Sequence, residues 1–168
     1  PPRVHPAQGI SLTTLFKGLT EERDLLLLLL QGKLSAADVR RLKPESFTLA
    51  SGRKLVDIAR THLDPDGRII LRAVLDEAAE DPECSDLATE LSMREDYFDD
   101  VPAHTQACLD NLDRKRTERA LRDLIERLKT AEREGRVDEA GSLNVQINEV
   151  RMRKAGTLSA GVVTLVKE

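Results

Sequence analysis

The sequence contains no tryptophan and few other aromatic residues, with three Phe and one Tyr in 168 residues. Sheet cores favour aromatic and β-branched side chains, so this shortage argues against an all-β fold. The apolar residues, 40% of the chain, are mostly Leu, Ala, Val and Ile, and 33% of the residues are charged. We therefore expect an all-α fold, in a chain long enough for one globular domain with an appendage.

Long apolar runs are also missing, since the most conspicuous one is the six leucines Leu25–Leu30. A membrane-spanning helix needs about 20 apolar residues. A secretion signal needs a basic leader, whereas Glu21 and Glu22 precede this run closely. We expect no membrane contact and a cytoplasmic location.

Residues typical of catalysis and metal binding are few. Neither Cys84 nor Cys108 belongs to a CxxC pair, and His5, His62 and His104 form no HExxH pattern. No glycine pattern resembles a phosphate-binding loop. We therefore predict reduced thiols, no catalytic residues, no metal site and no cofactor in this chain.

The leucine run has the boundary signals of a helix. Thr20 is a suitable N-cap, the two glutamates suit the first turn of a helix, and Gly32 is a suitable stop. A helix that is apolar on all sides must be enclosed by others, so Leu25–Leu30 should be central in a bundle. The Pro-rich start, Pro1-Pro2-Arg3 without Met, resembles the end of a linker and indicates a fragment of a longer protein.

The last third of the chain predicts two long helices folded against each other. No proline follows Pro102, and the main break is Glu134-Gly135-Arg136. Apolar residues recur at heptad-like intervals on both sides of this break, as an antiparallel helical hairpin requires. They are Leu121, Leu124, Leu128 and Ala131 before it, and Ala140, Leu143, Ile147 and Val150 after it. Residues 155–168 show no helical spacing and are predicted to form a tail.

Charge is distributed unevenly. Residues 76–100 contain eleven acidic residues and one basic residue, whereas residues 113–154 contain twelve basic and nine acidic residues. The basic cluster of residues 114–122 is interleaved with acids and lacks stacking aromatics, so direct nucleic-acid binding is not expected.

Two stretches in this order resemble the C-terminal domain of bacterial DNA primase. The first is residues 21–30, followed by Phe47 and the helix with Leu55-Val56-Asp57-Ile58. The second is residues 116–125 followed by residues 131–140, which are similar to the closing hairpin of that family. The resemblance covers about residues 20–154.

The resemblance implies a helicase-binding domain rather than an enzyme. Its hairpin would attach primase to the N-terminal domain of the hexameric replicative helicase, and its bundle would modulate helicase activity and can receive the tail of single-stranded DNA-binding protein. Primer synthesis would belong to upstream domains of the parent primase. The predicted organisation is a linker end and lead-in (1–19), a bundle (20–112), a hairpin (113–154) and a tail (155–168). The predicted partner-binding residues are outward-pointing residues near the turn and on the second hairpin helix: Arg133, Arg136, Asn144, Gln146, Arg151 and Lys154.

Two alternatives remain open at this point. One is the N-terminal domain of the replicative helicase itself, which shares the bundle-and-hairpin fold with the primase domain. The other is a small all-α enzyme that binds a metal through the acidic region 76–100. Self-association would favour the first alternative, and stabilisation by added metal ions would favour the second.

Overall fold

The structure is a computed structural model that describes the backbone of residues 11–165 and the side chains of residues 11–156. Within these residues the chain forms eight α-helices, one 3-10 turn at Pro44–Ser46 and no β-strand beyond a single bridge between Leu63 and Ile69. The all-α fold class is therefore confirmed. The helices are α1 (Leu12–Leu15), α2 (Thr20–Leu30), α3 (Ala36–Arg41), α4 (Ala50–Thr61), α5 (Leu71–Ala78), α6 (Pro82–Ser92), α7 (Val101–Arg133) and α8 (Val137–Leu165).

The chain divides into two compact units, residues 1–112 and 113–168. In the first unit α4 packs against α5, α6 and the 3-10 turn, while α2 packs against α4 and α6. No helix in the described part of the chain is both long enough and apolar enough to cross a membrane.

The six leucines of α2 form the centre of the first unit. Every residue of Leu25–Leu30 is at most 1% exposed, which confirms the prediction that this helix is enclosed. Leu12 and Phe16 belong to the same buried cluster. The core therefore begins before Thr20, where the sequence analysis placed the start of the bundle.

Of the two predicted ends of α2, the structure confirms one. Gly32 has a φ of +66°, and the N–H groups of Gly32 and Lys33 donate to the carbonyls of Leu29 and Leu28 at 3.1 and 3.0 Å. This is the paired hydrogen bonding that ends helices at glycine, as predicted. The N-cap prediction is wrong by one residue, because the capping position is Leu19 and no side chain caps the helix there.

A buried carboxylate joins α2 to the segment before α4. Glu22 is 4% exposed and accepts hydrogen bonds from the backbone N–H of Thr48 at 2.9 Å and from its hydroxyl at 2.8 Å. Both bonds go to a charged acceptor, which makes them stronger than bonds between neutral groups. The cost of burying this carboxylate is thereby offset.

The turn between α4 and α5 depends on Gly67. Its φ is +79°, and a Cβ at this position would lie 2.8 Å from the Cβ of Ala36. The turn is closed by Asp64, whose carbonyl accepts from the N–H of Gly67 at 2.9 Å and whose carboxylate accepts from those of Asp66 and Arg68. Any larger residue would therefore meet both a strained backbone and a collision with α3.

We predict that Gly67→Ala lowers the free energy of unfolding by about 2 to 3 kcal/mol, because the left-handed conformation and the steric overlap both add to the cost. Gly32→Ala is the matched control, since Gly32 has a similar φ but nothing within 4 Å of its Cβ position. It should cost only about 1 kcal/mol. Urea denaturation followed by circular dichroism measures both. Equal losses would contradict the role of the contact with Ala36.

The helix α8 extends beyond its predicted end. The sequence predicts a tail from residue 155, but the backbone is helical to Leu165. No proline interrupts residues 155–165, and an established helix adds residues at little cost. Residues 166–168 of the predicted tail, like residues 1–10 of the predicted linker end, lie outside the described part of the chain.

Candidate functional site

The turn between α7 and α8 contains two of the predicted partner-binding residues, and both are exposed. Gly135 has a φ of +70°, and the N–H of Arg136 donates to the carbonyl of Ala131 at 2.8 Å, which ends α7 in the same way as α2 ends. The Arg136 guanidinium forms ion pairs with Glu134 at 2.6 Å and with Glu139. It therefore holds the turn together, and Arg133 lies at the last position of α7.

The side of α8 that faces α7 is defined by buried residues and by one ion pair. Leu143 and Ile147 are 1% and 3% exposed, and Ala131 of α7 is fully buried. Lys154 Nζ lies 3.7 Å from Glu118 Oε1 on α7. Lys154 was predicted to point outward, but this contact places it on the α7 side of the helix.

A second apolar face of α8 is exposed. Val137, Val145 and Met152 are 78%, 58% and 75% exposed. They are spaced by eight and seven residues, about two helical turns in each case, so they share one side of the helix. Val145 lies two residues after Leu143 and two residues before Ile147, and two residues correspond to a rotation of about 200° around the helix axis. This face, which we call the outer apolar face, thus lies away from the buried side.

Two predicted binding residues border the outer apolar face and one does not. Asn144 and Arg151 follow Val137 at intervals of seven residues, and both are exposed. Residues at this interval lie in one column along the helix. Gln146 lies on another side, where its amide donates to the hydroxyl of Ser142 at 3.3 Å. The six predicted residues therefore do not form a single surface.

Part of the acidic region 76–100 is used within the fold. Asp81 caps α6 by accepting from the N–H groups of Glu83 and Cys84, and it pairs with Lys54. Asp100 accepts from the N–H of Ala103 at 3.0 Å at the start of α7. No set of three side chains from this region brings potential metal ligands together in the described part of the chain.

One set of three ligand-type side chains does converge within the first unit. Asp24 of α2 and His104 and Cys108 of α7 bring one ligand atom each to within 4.8 Å of one another. His104 Nε2 lies 2.9 Å from Asp24 Oδ2 and 3.6 Å from Cys108 Sγ. Asp24 and Cys108 are buried, whereas the His104 side chain is 35% exposed. We call these three residues the Asp-His-Cys cluster.

Neighbouring side chains hold the Asp-His-Cys cluster in place. The Arg23 guanidinium donates to Asp24 Oδ1 at 2.8 and 3.0 Å, which leaves Oδ2 for His104. The Phe98 ring stacks on the His104 imidazole with centroids 4.6 Å apart and an interplanar angle of 21°. The position of Asp24 and the plane of the imidazole are therefore both restricted.

The chemistry of the cluster differs from that of a nucleophilic triad. In a triad the imidazole uses one nitrogen for the nucleophile and the other for the carboxylate. Here the same nitrogen, Nε2, makes both contacts. Burial, and to a lesser extent the charges of Asp24 and Glu21, raise the pKa of the Cys108 thiol to about 11. The thiol is thus protonated at neutral pH and is not an activated nucleophile.

Sequence analysis missed this cluster, although one signal for it was present. His104 and Cys108 lie four residues apart, which puts them on one face of a helix. Asp24 lies 80 residues away from His104 and reads in the sequence as one of several acids near the start of α2. Of the other histidines, His62 pairs with Glu77, and His5 lies outside the described residues.

Comparisons of the chain with protein-family models, with curated proteins and with solved structures find no match.

Proposed function

We propose that this chain is a docking module that attaches a bacterial DNA primase to the N-terminal domain of the hexameric replicative helicase and modulates helicase activity during priming. In this proposal the first unit is the helical bundle, and residues 113–154 form an antiparallel helical hairpin. The resemblance of residues 21–30, 116–125 and 131–140 to the primase family motivates it. The division of the chain after residue 112 and the ion pair between Lys154 and Glu118 are consistent with it.

The observation that carries the proposal is the outer apolar face of α8. Large apolar side chains usually lie inside a fold, and single exposed ones need no explanation. Three on one side of one helix, at 78%, 58% and 75% exposure, instead form an interrupted strip, with Gly141 and Asn148 between them. Amphipathic helices of this kind bind by placing the apolar strip in a groove of a partner. The buried side of α8 already serves the packing within the second unit, so the strip is available for the helicase.

Polar residues around the strip would give this interface its specificity. Asn144 and Arg151 border it, and Arg133 lies at the end of α7 near the turn. These three are the predicted contacts that we retain. Gln146 lies on another side of α8, and Lys154 pairs with Glu118, so neither is assigned to the interface. The ion pairs of Arg136 with Glu134 and Glu139 give it a role in the turn.

Isothermal titration of the chain with the N-terminal domain of a bacterial replicative helicase tests the proposal. We expect saturable binding, with a negative heat-capacity change as apolar surface is buried. Absence of binding at micromolar concentrations of both proteins would contradict it. Gel filtration of the chain alone checks the alternative, because a helicase N-terminal domain self-associates whereas the primase module should elute as a monomer.

A further inference from the structure

The Asp-His-Cys cluster has the ligand set of a metal site, and it is independent of the outer apolar face. A carboxylate oxygen, an imidazole nitrogen and a thiolate sulfur are all ligands of Zn²⁺. From their convergence we propose that Asp24, His104 and Cys108 bind one Zn²⁺ ion, or a similar borderline-soft divalent ion, with a water molecule in the fourth position.

The distances between the ligand atoms are close to those of a tetrahedral zinc site. With bond lengths of about 2.0 Å to nitrogen and oxygen and about 2.3 Å to sulfur, tetrahedral angles place nitrogen and sulfur about 3.5 Å apart, and nitrogen and oxygen about 3.3 Å apart. The observed separations are 3.6 Å for His104 and Cys108 and 2.9 Å for His104 and Asp24. The second contact must open by a few tenths of an ångström to admit the ion. The ligand atoms of Asp24 and Cys108, which lie within 4.8 Å of each other, would have to sit about 3.5 Å apart.

The use of a single imidazole nitrogen favours a metal over a chain of hydrogen bonds. Nε2 cannot hold a proton for Asp24 and at the same time accept one from Cys108, so the two contacts compete in the metal-free protein. A Zn²⁺ ion bound to all three atoms removes this competition, and the thiol proton of Cys108 is released to solvent as the thiolate binds the metal. The i to i+4 spacing of His104 and Cys108 on α7 supplies two ligands from one rigid element.

The surroundings provide both support and access. Arg23 binds the other oxygen of Asp24 and orients the carboxylate, and Phe98 orients the imidazole. Partners of this kind fix metal ligands in place and tune their affinity. The His104 side chain is 35% exposed, which gives an ion and a water molecule a path to the site.

The thiol selects the metal. Mg²⁺ and Ca²⁺ prefer sites made only of oxygen ligands, whereas sulfur and nitrogen ligands favour Zn²⁺ and Co²⁺. This site differs from one in the acidic region 76–100, where the Asp and Glu carboxylates are the only potential ligands among exposed Asp, Glu, His and Cys side chains. Co²⁺ is the useful probe, because a thiolate bound to Co²⁺ gives a charge-transfer absorption band in the near ultraviolet.

The experiment titrates the reduced, chelator-treated chain with Co²⁺ and with Zn²⁺ and follows absorption and thermal unfolding. We expect a cobalt–thiolate band that saturates at one ion per chain and that Zn²⁺ removes. At 100 times its dissociation constant, Zn²⁺ should raise the Tm by about 5 to 10 °C. Mg²⁺ at the same concentration should leave the Tm unchanged.

Cys108→Ser should abolish the band, and Cys84→Ser should retain it. Cys84 is the matched control because it is also a buried free cysteine in the first unit but belongs to no ligand cluster in the described part of the chain. A band that survives in Cys108→Ser would overturn the proposal. So would the absence of a band in the wild-type protein, a result that does not depend on whether any variant folds.

Discussion

A protein with Val145→Asp and Met152→Asp together should bind the helicase N-terminal domain at least about 100-fold more weakly than the wild type, a loss of about 2.8 kcal/mol. Both side chains lie on the outer apolar face, at 58% and 75% exposure. Burying an apolar side chain of this size contributes about 1.5 to 3 kcal/mol, and an aspartate in its place would place an unpaired charge in the interface.

The two substitutions should leave the fold of the second unit intact. Val145 and Met152 contribute little to the buried side of α8, where Leu143 and Ile147 lie. Aspartate has a helix propensity close to that of valine and is weaker than methionine by about 0.5 kcal/mol in a long helix. Circular dichroism of the variant should therefore match that of the wild type, so that a loss of binding reports on the surface.

A matched control carries the same added charge on another side of the same helix. Gln146→Asp with Arg153→Gln changes the net charge by the same two units at exposed positions. These positions are seven residues apart, in a column of α8 about 100° around the helix from Val145 and Met152. We expect its affinity to stay within about threefold of the wild type, as for charges at the edge of an interface. If both double variants lose affinity equally, general repulsion rather than the outer apolar face accounts for the effect.

The fold was predictable where the signal lies in short stretches of sequence. Six consecutive leucines can avoid water only inside a bundle, and Leu25–Leu30 are buried accordingly. Gly135 with charged neighbours marked the break between α7 and α8, where it has a φ of +70°. The extension of α8 through residues 155–165 was not predicted, since its apolar residues lack helical periodicity and helix continuation depends on the turns before it.

The sites were less predictable than the fold. To predict the outer apolar face, one must know which side of α8 is buried. The sequence alone does not distinguish Val145, which is exposed, from Ile147, which is buried. Lys154 was predicted to point outward for the same reason, whereas it pairs with Glu118 on α7. The Asp-His-Cys cluster combines a local spacing with a contact between α2 and α7, and only the packing of the bundle brings these two parts together.

Leu26→Ala should lower the free energy of unfolding by about 3 to 5 kcal/mol, the range for leucines in well-packed cores. Leu26 is fully buried, and its Cδ1 lies 3.4 Å from the Cβ position of Gly52 on α4. The absence of a side chain at Gly52 allows α2 and α4 to approach each other closely. Truncating Leu26 leaves a cavity on one side of this contact, and the glycine has no side chain with which to fill it.

Leu71→Ala is the matched control, since it removes the same atoms from a residue that is 37% exposed. It should cost less than about 1 kcal/mol, because much of that side chain already contacts water. Urea denaturation at constant m-value measures the difference between the two variants. A domain of this size is stable by about 5 to 15 kcal/mol, so Leu26→Ala removes a large part of the total. If α2 is enclosed, truncating one of its leucines must lower the free energy of unfolding more than truncating an exposed leucine does. Equal losses for Leu26→Ala and Leu71→Ala would therefore mean that α2 is not the centre of the fold.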